Sequence, residues 1–121
     1  MSYDISLYRI ETKEKEEVTD DENFFENEKN LVPFTEEQFL ELKKRLILYG
    51  YQISEKNVYG IQFNHRDEDY GTALLTQEAL FFRAGWNENS IFEVGMTASE
   101  FTDSGEYAKY DWQNGEWEIW E

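Results

Sequence analysis

The sequence predicts an α+β protein: a mainly antiparallel sheet of about five to seven strands, one principal helix packed on a face, and a C-terminal β-hairpin. Three observations support this fold class. Residues 34–50 carry an amphipathic helical pattern, several short runs alternate apolar and polar residues, and an Asn-Gly pair lies between two aromatic runs near the C-terminus. At 121 residues, the chain suits a single domain, 1–121, with one modest core.

The N-terminal part combines a predicted strand with a highly charged segment. Residues 3–10, YDISLYRI, alternate in the manner of a strand rich in β-branched and aromatic side chains. Residues 11–30 hold nine acidic residues and three lysines. Charge-dense runs are usually solvated, and long loops are functional or mobile, so an acidic, mobile loop is expected here. Phe24 and Phe25 are unusual in such a run, and they would either pin it to the core or contact a partner.

The strongest helix pattern covers residues 35–49. Thr35 and Gln38 have the spacing of a capping box, in which each side chain satisfies a backbone N–H of the other residue. Apolar residues recur with a helical period at Phe39, Leu42, Leu46 and Tyr49. Gly50 suits the left-handed position that commonly follows a helix. This helix is expected to lie on the sheet.

The rest of the middle region is predicted to be a series of strands. The runs are 51–54, 58–64, 72–76, 79–84 and 90–97. In the last of them, Phe92, Val94 and Met96 alternate with other residues, which favours a strand. Residues 98–105 are expected to form a turn of helix or an irregular link.

The C-terminal hairpin is predicted from YDWQNGEWEIW, residues 110–120. Asn114–Gly115 suits a two-residue type I′ turn, which would set Trp112 opposite Trp117 and Asp111 opposite Glu118. One face would carry Tyr110, Trp112, Trp117 and Ile119, and it is assigned to the core. The other face would carry Lys109, Asp111, Glu118 and Trp120. Two carboxylates directly opposite each other are unfavourable unless a cation lies between them.

The charge of the chain limits its partners. It has 27 acidic and 11 basic residues, for a formal net charge of −16. Such a field repels nucleic acid and anionic membranes and attracts cationic partners, although the charge could also serve solubility alone. There is no cysteine, no apolar run of membrane-spanning length and no secretory signal pattern in MSYDISLYRI. A cytoplasmic protein that binds neither nucleic acid nor membrane is therefore expected.

Few residues could carry catalytic or metal chemistry. His65 is the only histidine, it lies in the turn-like run NHRDED, and no G-x-S-x-G motif is present. Asp67, Asp69 and Glu78 have the spacing of three calcium-loop ligands, but Gly71 falls one position before the glycine that an EF-hand requires. The sequence therefore predicts a turn or surface histidine, no metal site, no cofactor and no catalytic site.

Acidic and aromatic residues are interleaved, which is a suitable composition for binding a basic protein. Aromatic anchors supply affinity in interfaces, while charge accelerates encounter and disfavours wrong partners. The candidate partner-binding residues are Asp20, Asp21, Glu22, Phe24, Phe25, Asp67, Glu68, Asp69, Asp111, Glu118 and Trp120. The alternative is structural, because strand alternation alone places aromatic residues in a core and acids in solvent.

The opening MSYDISLY, the small size, the lack of cysteine and the acidic charge resemble the immunity proteins of bacterial toxin systems. The resemblance is one of type: it implies no particular fold and assigns no motif to individual residues. It implies a bacterial protein that binds a cognate toxin, often a cationic nuclease, and blocks its active site or substrate groove.

These observations predict a non-catalytic protein-binding module that inhibits a basic partner, which could be a cognate toxin. One alternative is a carbohydrate or small-ligand binding domain that uses aromatic side chains on a sheet face. A second alternative is a small hydrolase that relies on His65 or on paired carboxylates.

Overall fold

The computed structural model describes residues 2–19, 22–58, 60–67, 70–85 and 88–118. Over these residues the chain forms one seven-stranded antiparallel sheet and three α-helices. The elements are β1 (Ser2–Arg9), α1 (Ile10–Val18), α2 (Glu36–Leu48), β2 (Tyr51–Asn57), β3 (Gly60–His65), β4 (Thr72–Leu75), β5 (Leu80–Gly85), α3 (Glu88–Phe101), β6 (Tyr107–Asp111) and β7 (Glu116–Glu118). Short 3-10 turns cover Phe24–Glu26, Glu28–Asn30 and Thr102–Ser104.

The strand order is β2-β3-β4-β5-β1-β6-β7. The N-terminal strand therefore lies inside the sheet, where β1 pairs with β5 on one side and with β6 on the other. The predicted α+β class and its mainly antiparallel sheet are confirmed, and so are the strands predicted at 3–10, 58–64, 72–76 and 79–84, within a few residues at their ends.

One face of the sheet, which we call the core face, carries α2 and α3. Alternate residues of β1, namely Tyr3, Ile5 and Leu7, are buried on this face. They pack in one cluster with Leu42 and Leu46 of α2, with Val94, Ala98 and Phe101 of α3, and with Phe63, Leu75, Leu80 and Phe82 of the neighbouring strands. Strand alternation thus leaves the even-numbered residues of β1 on the opposite face.

Helix α2 matches its prediction because its end signals are local. The Thr35 Oγ1 accepts a hydrogen bond from the Gln38 N–H at 3.1 Å, and the Gln38 Oε1 accepts one from the Thr35 N–H at 2.9 Å. This reciprocal pair satisfies two backbone donors that the first turn of a helix leaves unpaired. Gly50 follows the helix with a φ of 100°, a conformation that glycine adopts without steric cost.

The prediction of a strand at 90–97 was wrong, since this run lies inside α3. Burial recurs there with a helical period, at Ser90, Val94, Thr97, Ala98 and Phe101. Phe92 and Met96, which alternation placed beside Val94, are instead 63% and 47% exposed. Apolar residues at every second position can satisfy either period over a short window, and packing against the sheet selected the helix. The expectation of one principal helix is corrected accordingly.

The loop predicted at 11–30 also needs correction, because α1 occupies Ile10–Val18. Lys13 and Glu17 form an ion pair one helical turn apart, with Nζ and Oε1 separated by 3.2 Å. Thr12 is buried, and its Oγ1 accepts a hydrogen bond from the Val32 N–H at 2.9 Å. The dense charge therefore includes the surface of a short helix, tied to the segment that leads into α2.

The C-terminal hairpin forms, but in a different register from the one predicted. Lys109 lies opposite Glu118, Tyr110 opposite Trp117 and Asp111 opposite Glu116. A type I′ turn needs a positive φ at both of its central residues, which here would be Asn114 and Gly115. Gly115 has a φ of 66°, but among the described residues no residue other than glycine has a positive φ, so Asn114 does not meet this requirement. Residues 112–115 form a longer loop instead, in which the Asp111 carboxylate accepts hydrogen bonds from the Gln113 N–H at 2.9 Å and the Asn114 Nδ2 at 2.7 Å.

The two faces of this hairpin are the reverse of those expected. Lys109 and Asp111 lie on the core face and are buried, with 3% and 7% of their surfaces exposed. The Lys109 Nζ donates to the Ser99 Oγ of α3 at 2.7 Å and forms an ion pair with Glu118. The predicted core face of the hairpin turns away from α2 and α3. Ile119 and Trp120 lie outside the described residues.

Candidate binding groove and aromatic cluster

The second face of the sheet, which we call the groove face, carries the even-numbered residues of β1: Asp4, Ser6 and Tyr8. Two rows of side chains cross the strands here. The first row runs Thr72, Arg83, Asp4, and the second runs Gln62, Leu74, Phe81, Ser6, Tyr110. One row is polar and charged, and the other is largely apolar and aromatic. Their adjacency follows from the cross-strand register.

A groove of about 600 Å³ opens over these rows. Its lining includes Gln62, Thr72, Leu74, Phe81, Arg83 and Trp112. Sites for small molecules and anchor side chains typically combine apolar walls with a few polar groups that fix orientation, and this lining has both. The groove lies over β1, β3, β4 and β5, on the face opposite α2 and α3.

Asp4 and Arg83 place one charge of each sign at the groove. The Arg83 Nε donates to the Asp4 Oδ1 at 2.9 Å, and the two side chains are 71% and 30% exposed respectively. The pairing is direct because the two residues are register partners on β1 and β5. The arginine is thus mostly in water, while the carboxylate is more shielded.

Trp112 forms one wall of the groove. Its Nε1 donates a hydrogen bond to the Ser6 Oγ at 2.7 Å, and its ring centroid lies 4.8 Å from that of Tyr110 and 5.2 Å from that of Phe25. These contacts hold the indole in one orientation. The residue is nevertheless 40% exposed, so a rigid aromatic surface faces the solvent.

Phe25 is the centre of an aromatic cluster, which we define as Tyr8, Phe25, Tyr110, Trp112 and Trp117. Its ring centroid lies between 4.7 and 5.9 Å from those of the other four. The Trp117 Nε1 also donates to the Glu16 Oε1 of α1 at 3.0 Å. The cluster therefore fastens α1 and the segment around Phe25 to the β6–β7 side of the groove face.

Burial raises the pKa of the two tyrosines in the aromatic cluster above that of a free phenol. Desolvation raises the pKa of Tyr8 far above its ordinary value of 10.0, and it raises the pKa of Tyr3, on the opposite face, to about 12. The pKa of Tyr110 is raised by burial first and then by the nearby carboxylates of Glu16 and Asp111. These side chains stay neutral at physiological pH.

The candidate partner-binding residues are distributed over several environments. Phe24 is buried, Phe25 is half-buried in the aromatic cluster, Asp111 holds the 112–115 loop, and Glu118 pairs with Lys109. The rings of Phe24 and Phe25 touch, at 5.3 Å between centroids, whereas Asp111 and Glu118 are not opposite each other. Glu22 and Asp67 are exposed. Asp20, Asp21, Glu68, Asp69 and Trp120 lie outside the described residues.

Sequence reasoning missed Asp4, Gln62 and Arg83 as possible site residues, and it assigned Trp112 to the core. The pattern that could have found Asp4 and Arg83 is their position as polar residues within alternating strands. Their proximity could not be read in this way, because β1 and β5 are separated by three strands and two helices along the chain.

His65 lies at the end of β3 and orients the following turn. Its Nδ1 accepts a hydrogen bond from the Asp67 N–H at 2.8 Å, so its Nε2 carries the proton donated to the Tyr49 carbonyl oxygen at 2.6 Å. Its ring stacks on Tyr70 with 4.1 Å between centroids. Both ring nitrogens are thus engaged by the backbone, which supports a structural role.

Two further observations concern the described part of the chain. No group of three or more histidine or carboxylate side chains there could hold a metal ion. None of the helices there has the length and apolar character needed to cross a bilayer.

Comparisons of the chain with protein-family models, with curated proteins and with solved structures find no significant match. The class is therefore defined by the fold and the site. Over the residues that the structure describes, the protein is an α+β domain with a seven-stranded antiparallel sheet and a solvent-open groove walled by a tryptophan.

Proposed function

We propose that the protein is a non-catalytic acidic module that binds and inhibits a basic protein, in the manner of an immunity protein acting on a toxin such as a nuclease. The observation that carries this proposal is the excess of exposed carboxylates. The exposed acidic residues among those described are Glu14, Glu17, Glu22, Glu26, Glu36, Glu37, Glu41, Glu55, Asp67, Glu88, Glu100, Asp103, Glu106 and Glu116. The exposed basic residues among them are Lys15, Lys29, Lys44, Lys56, Arg66 and Arg83.

Ion pairs within the described residues engage cations and carboxylates in equal number, so they leave the excess of carboxylates unchanged. Arg9, Lys13, Arg83 and Lys109 each pair with a carboxylate of the same chain. A surface with this balance attracts a basic partner over several ångströms and accelerates encounter, with an effect that weakens as salt rises. Acidic inhibitors of basic proteins use the same physics for speed and selectivity.

The first experiment is co-expression with the product of the adjacent gene, followed by affinity capture at low and moderate salt. A basic product that is retained, with an association rate that falls as salt rises, supports the proposal. A product that is not basic, or that is not retained at moderate salt, contradicts it.

Helix α2 offers a matched pair of variants for this experiment. Neutralising the exposed carboxylates with Glu37→Gln and Glu41→Gln is expected to slow association. Lys44→Gln, also exposed on α2, is expected to accelerate it slightly. Changes of the same sign in both variants would point to a loss of folding rather than to long-range charge.

A second candidate function is supported by the groove. Its volume of about 600 Å³ is that of a small-molecule site, and Trp112 and Phe81 offer the flat surfaces on which sugar rings stack. Saturable quenching of tryptophan fluorescence by a glycan panel, lost in Trp112→Phe, would support a carbohydrate or small-ligand binder. An unresponsive panel would count against it. For the hydrolase alternative, unchanged biological activity of His65→Ala would exclude a histidine-dependent reaction.

A further inference from the structure

We infer that the groove receives an arginine side chain of the basic partner, stacked on Trp112 and paired with the Asp4 carboxylate. The inference rests on the proposed function for the partner's charge. It assigns the contact to residues other than those predicted from the sequence.

The aromatic wall of the groove is suited to stacking a guanidinium. A guanidinium binds favourably over the face of a tryptophan, and more strongly when both are held in place. Trp112 is fixed by its hydrogen bond to Ser6 and by ring contacts with Phe25 and Tyr110, yet it remains 40% exposed. A partner side chain would therefore meet an indole that loses little freedom on binding.

The Asp4 carboxylate already binds one guanidinium. Arg83 already shows that a guanidinium reaches Asp4 in this groove, through a single Nε hydrogen bond of 2.9 Å. An arginine that approaches with its fork of two N–H groups makes a stronger and more directional pair than a single hydrogen bond does. Arg83 is 71% exposed, so it can turn into solvent when a partner's arginine takes its place.

This end of the groove fits an arginine side chain better than a lysine side chain. Thr72 and Gln62 line the groove farther along, on β4 and β3, so the groups within reach of one side chain at this end are Trp112, Asp4 and Arg83. A flat aromatic wall beside a carboxylate matches a planar guanidinium, which can stack and form a forked ion pair at once, better than a compact ammonium. The overall charge of −16 favours either cation, and the geometry selects arginine.

A titration of the full-length, ¹⁵N-labelled protein with N-acetyl-arginine amide tests the inference directly. The Trp112 indole N–H resonance, assigned by comparison with Trp112→Phe, is expected to shift saturably. The matched control probe is N-acetyl-citrulline amide, which keeps the shape but lacks the charge, and it is expected to bind up to about fivefold more weakly.

Two near-isosteric variants test whether a more negative groove binds the arginine probe more tightly. Asp4→Asn is expected to weaken binding of the arginine probe by up to about fivefold, whereas Arg83→Gln is expected to strengthen it by a similar factor. Unchanged spectra away from the groove would show that both variants fold. No saturable shift, equal binding of the citrulline probe, or weaker binding in Arg83→Gln would overturn the inference.

The same variants separate this inference from the proposed function. Retention of a basic partner by both Asp4→Asn and Trp112→Phe with unchanged affinity would leave the function standing and remove the groove from its interface. Binding of the arginine probe without retention of any basic partner would remove the proposed function and leave a guanidinium site.

Discussion

Lys109 of β6 and Glu118 of β7 are register partners, and their ion pair closes the C-terminal hairpin on its buried face. The lysine is 3% exposed, and its Nζ also donates to Ser99 of α3. A buried ammonium is tolerated only when its charge and its donors are satisfied. The pair therefore links the last two strands to the helix that covers the sheet.

Glu118→Gln is expected to destabilise the protein, because it replaces the ion pair of Glu118 with the buried Lys109 ammonium by a weaker contact to a neutral amide. We expect a loss of about 1–3 kcal/mol in the free energy of unfolding, less than for a fully buried pair because Glu118 is partly exposed. Urea denaturation measures it. The matched control is Glu116→Gln, on the same strand but exposed, which should change stability by less than about 0.5 kcal/mol. Equal losses of stability in the two variants would show that the Lys109–Glu118 ion pair does not stabilise the fold.

Phe25→Ala is expected to loosen α1 and the segment around residue 25. Truncating a fully buried phenylalanine costs about 3–5 kcal/mol, so this half-buried ring should contribute about 2–3 kcal/mol, with a change in tryptophan fluorescence from Trp112 and Trp117. Phe92→Ala is the control, because that ring is 63% exposed on α3, where alanine also favours the helix. A larger loss for Phe92→Ala than for Phe25→Ala would contradict this structure.

Gly71→Ala is expected to be much more harmful than Gly105→Ala, although both glycines have positive φ, at 68° and 79°. A Cβ at Gly71 would collide with the backbone oxygen of Arg83 and lie 2.8 Å from the Ala84 Cα, whereas one at Gly105 meets nothing within 4 Å. The left-handed conformation costs both variants about 1–2 kcal/mol. The collision should add about 1–3 kcal/mol to Gly71→Ala, as measured by thermal or urea unfolding. Equal losses of stability in the two variants would show that the Gly71 backbone does not lie against Arg83 and Ala84.

Stability is expected to fall in alkaline solution, above about pH 10, because the buried tyrosines resist ionisation in the folded state. Burial raises the pKa of Tyr3 to about 12 and raises that of Tyr107 further. In the unfolded chain a tyrosine ionises near pH 10, so above that pH the unfolded state binds fewer protons than the folded state. The stabilisation from each phenol is therefore complete below about pH 10 and is lost as pH rises toward the folded pKa.

Tyr107→Phe provides the control for this pH dependence. The Tyr107 hydroxyl is buried, and no hydrogen-bond partner lies among the described residues. Removing it should leave stability at neutral pH unchanged or slightly higher. The alkaline decline should then flatten by up to about 1.4 kcal/mol per pH unit, as measured by urea denaturation over a pH series. An unchanged slope would show that Tyr107 does not contribute.

Local sequence patterns correctly predicted the structural features that depend on residues close together in the chain. The capping box of Thr35 and Gln38 and the glycine at 50 define α2, because these contacts lie within one or two turns. The alternation in β1, β3 and β5 likewise predicted strands at 3–10, 58–64 and 79–84. The charge of −16, which carries the proposed function, depends on composition alone.

Contacts between segments far apart in the chain determined helix α3, the register of the C-terminal hairpin and the groove. Val94, Ala98 and Phe101 reach the core only when α3 lies on the sheet, so packing overrode the alternation that predicted a strand at 90–97. The Asp111 side chain accepts a hydrogen bond from the Gln113 N–H and so stabilises a longer hairpin loop than the one predicted. In the register that goes with this loop, Lys109 lies opposite Glu118. The groove exists because β1 pairs with β5 and so brings Asp4 to Arg83. A one-dimensional pattern contains the faces of strands but not the order in which the strands pair, and that order created the site.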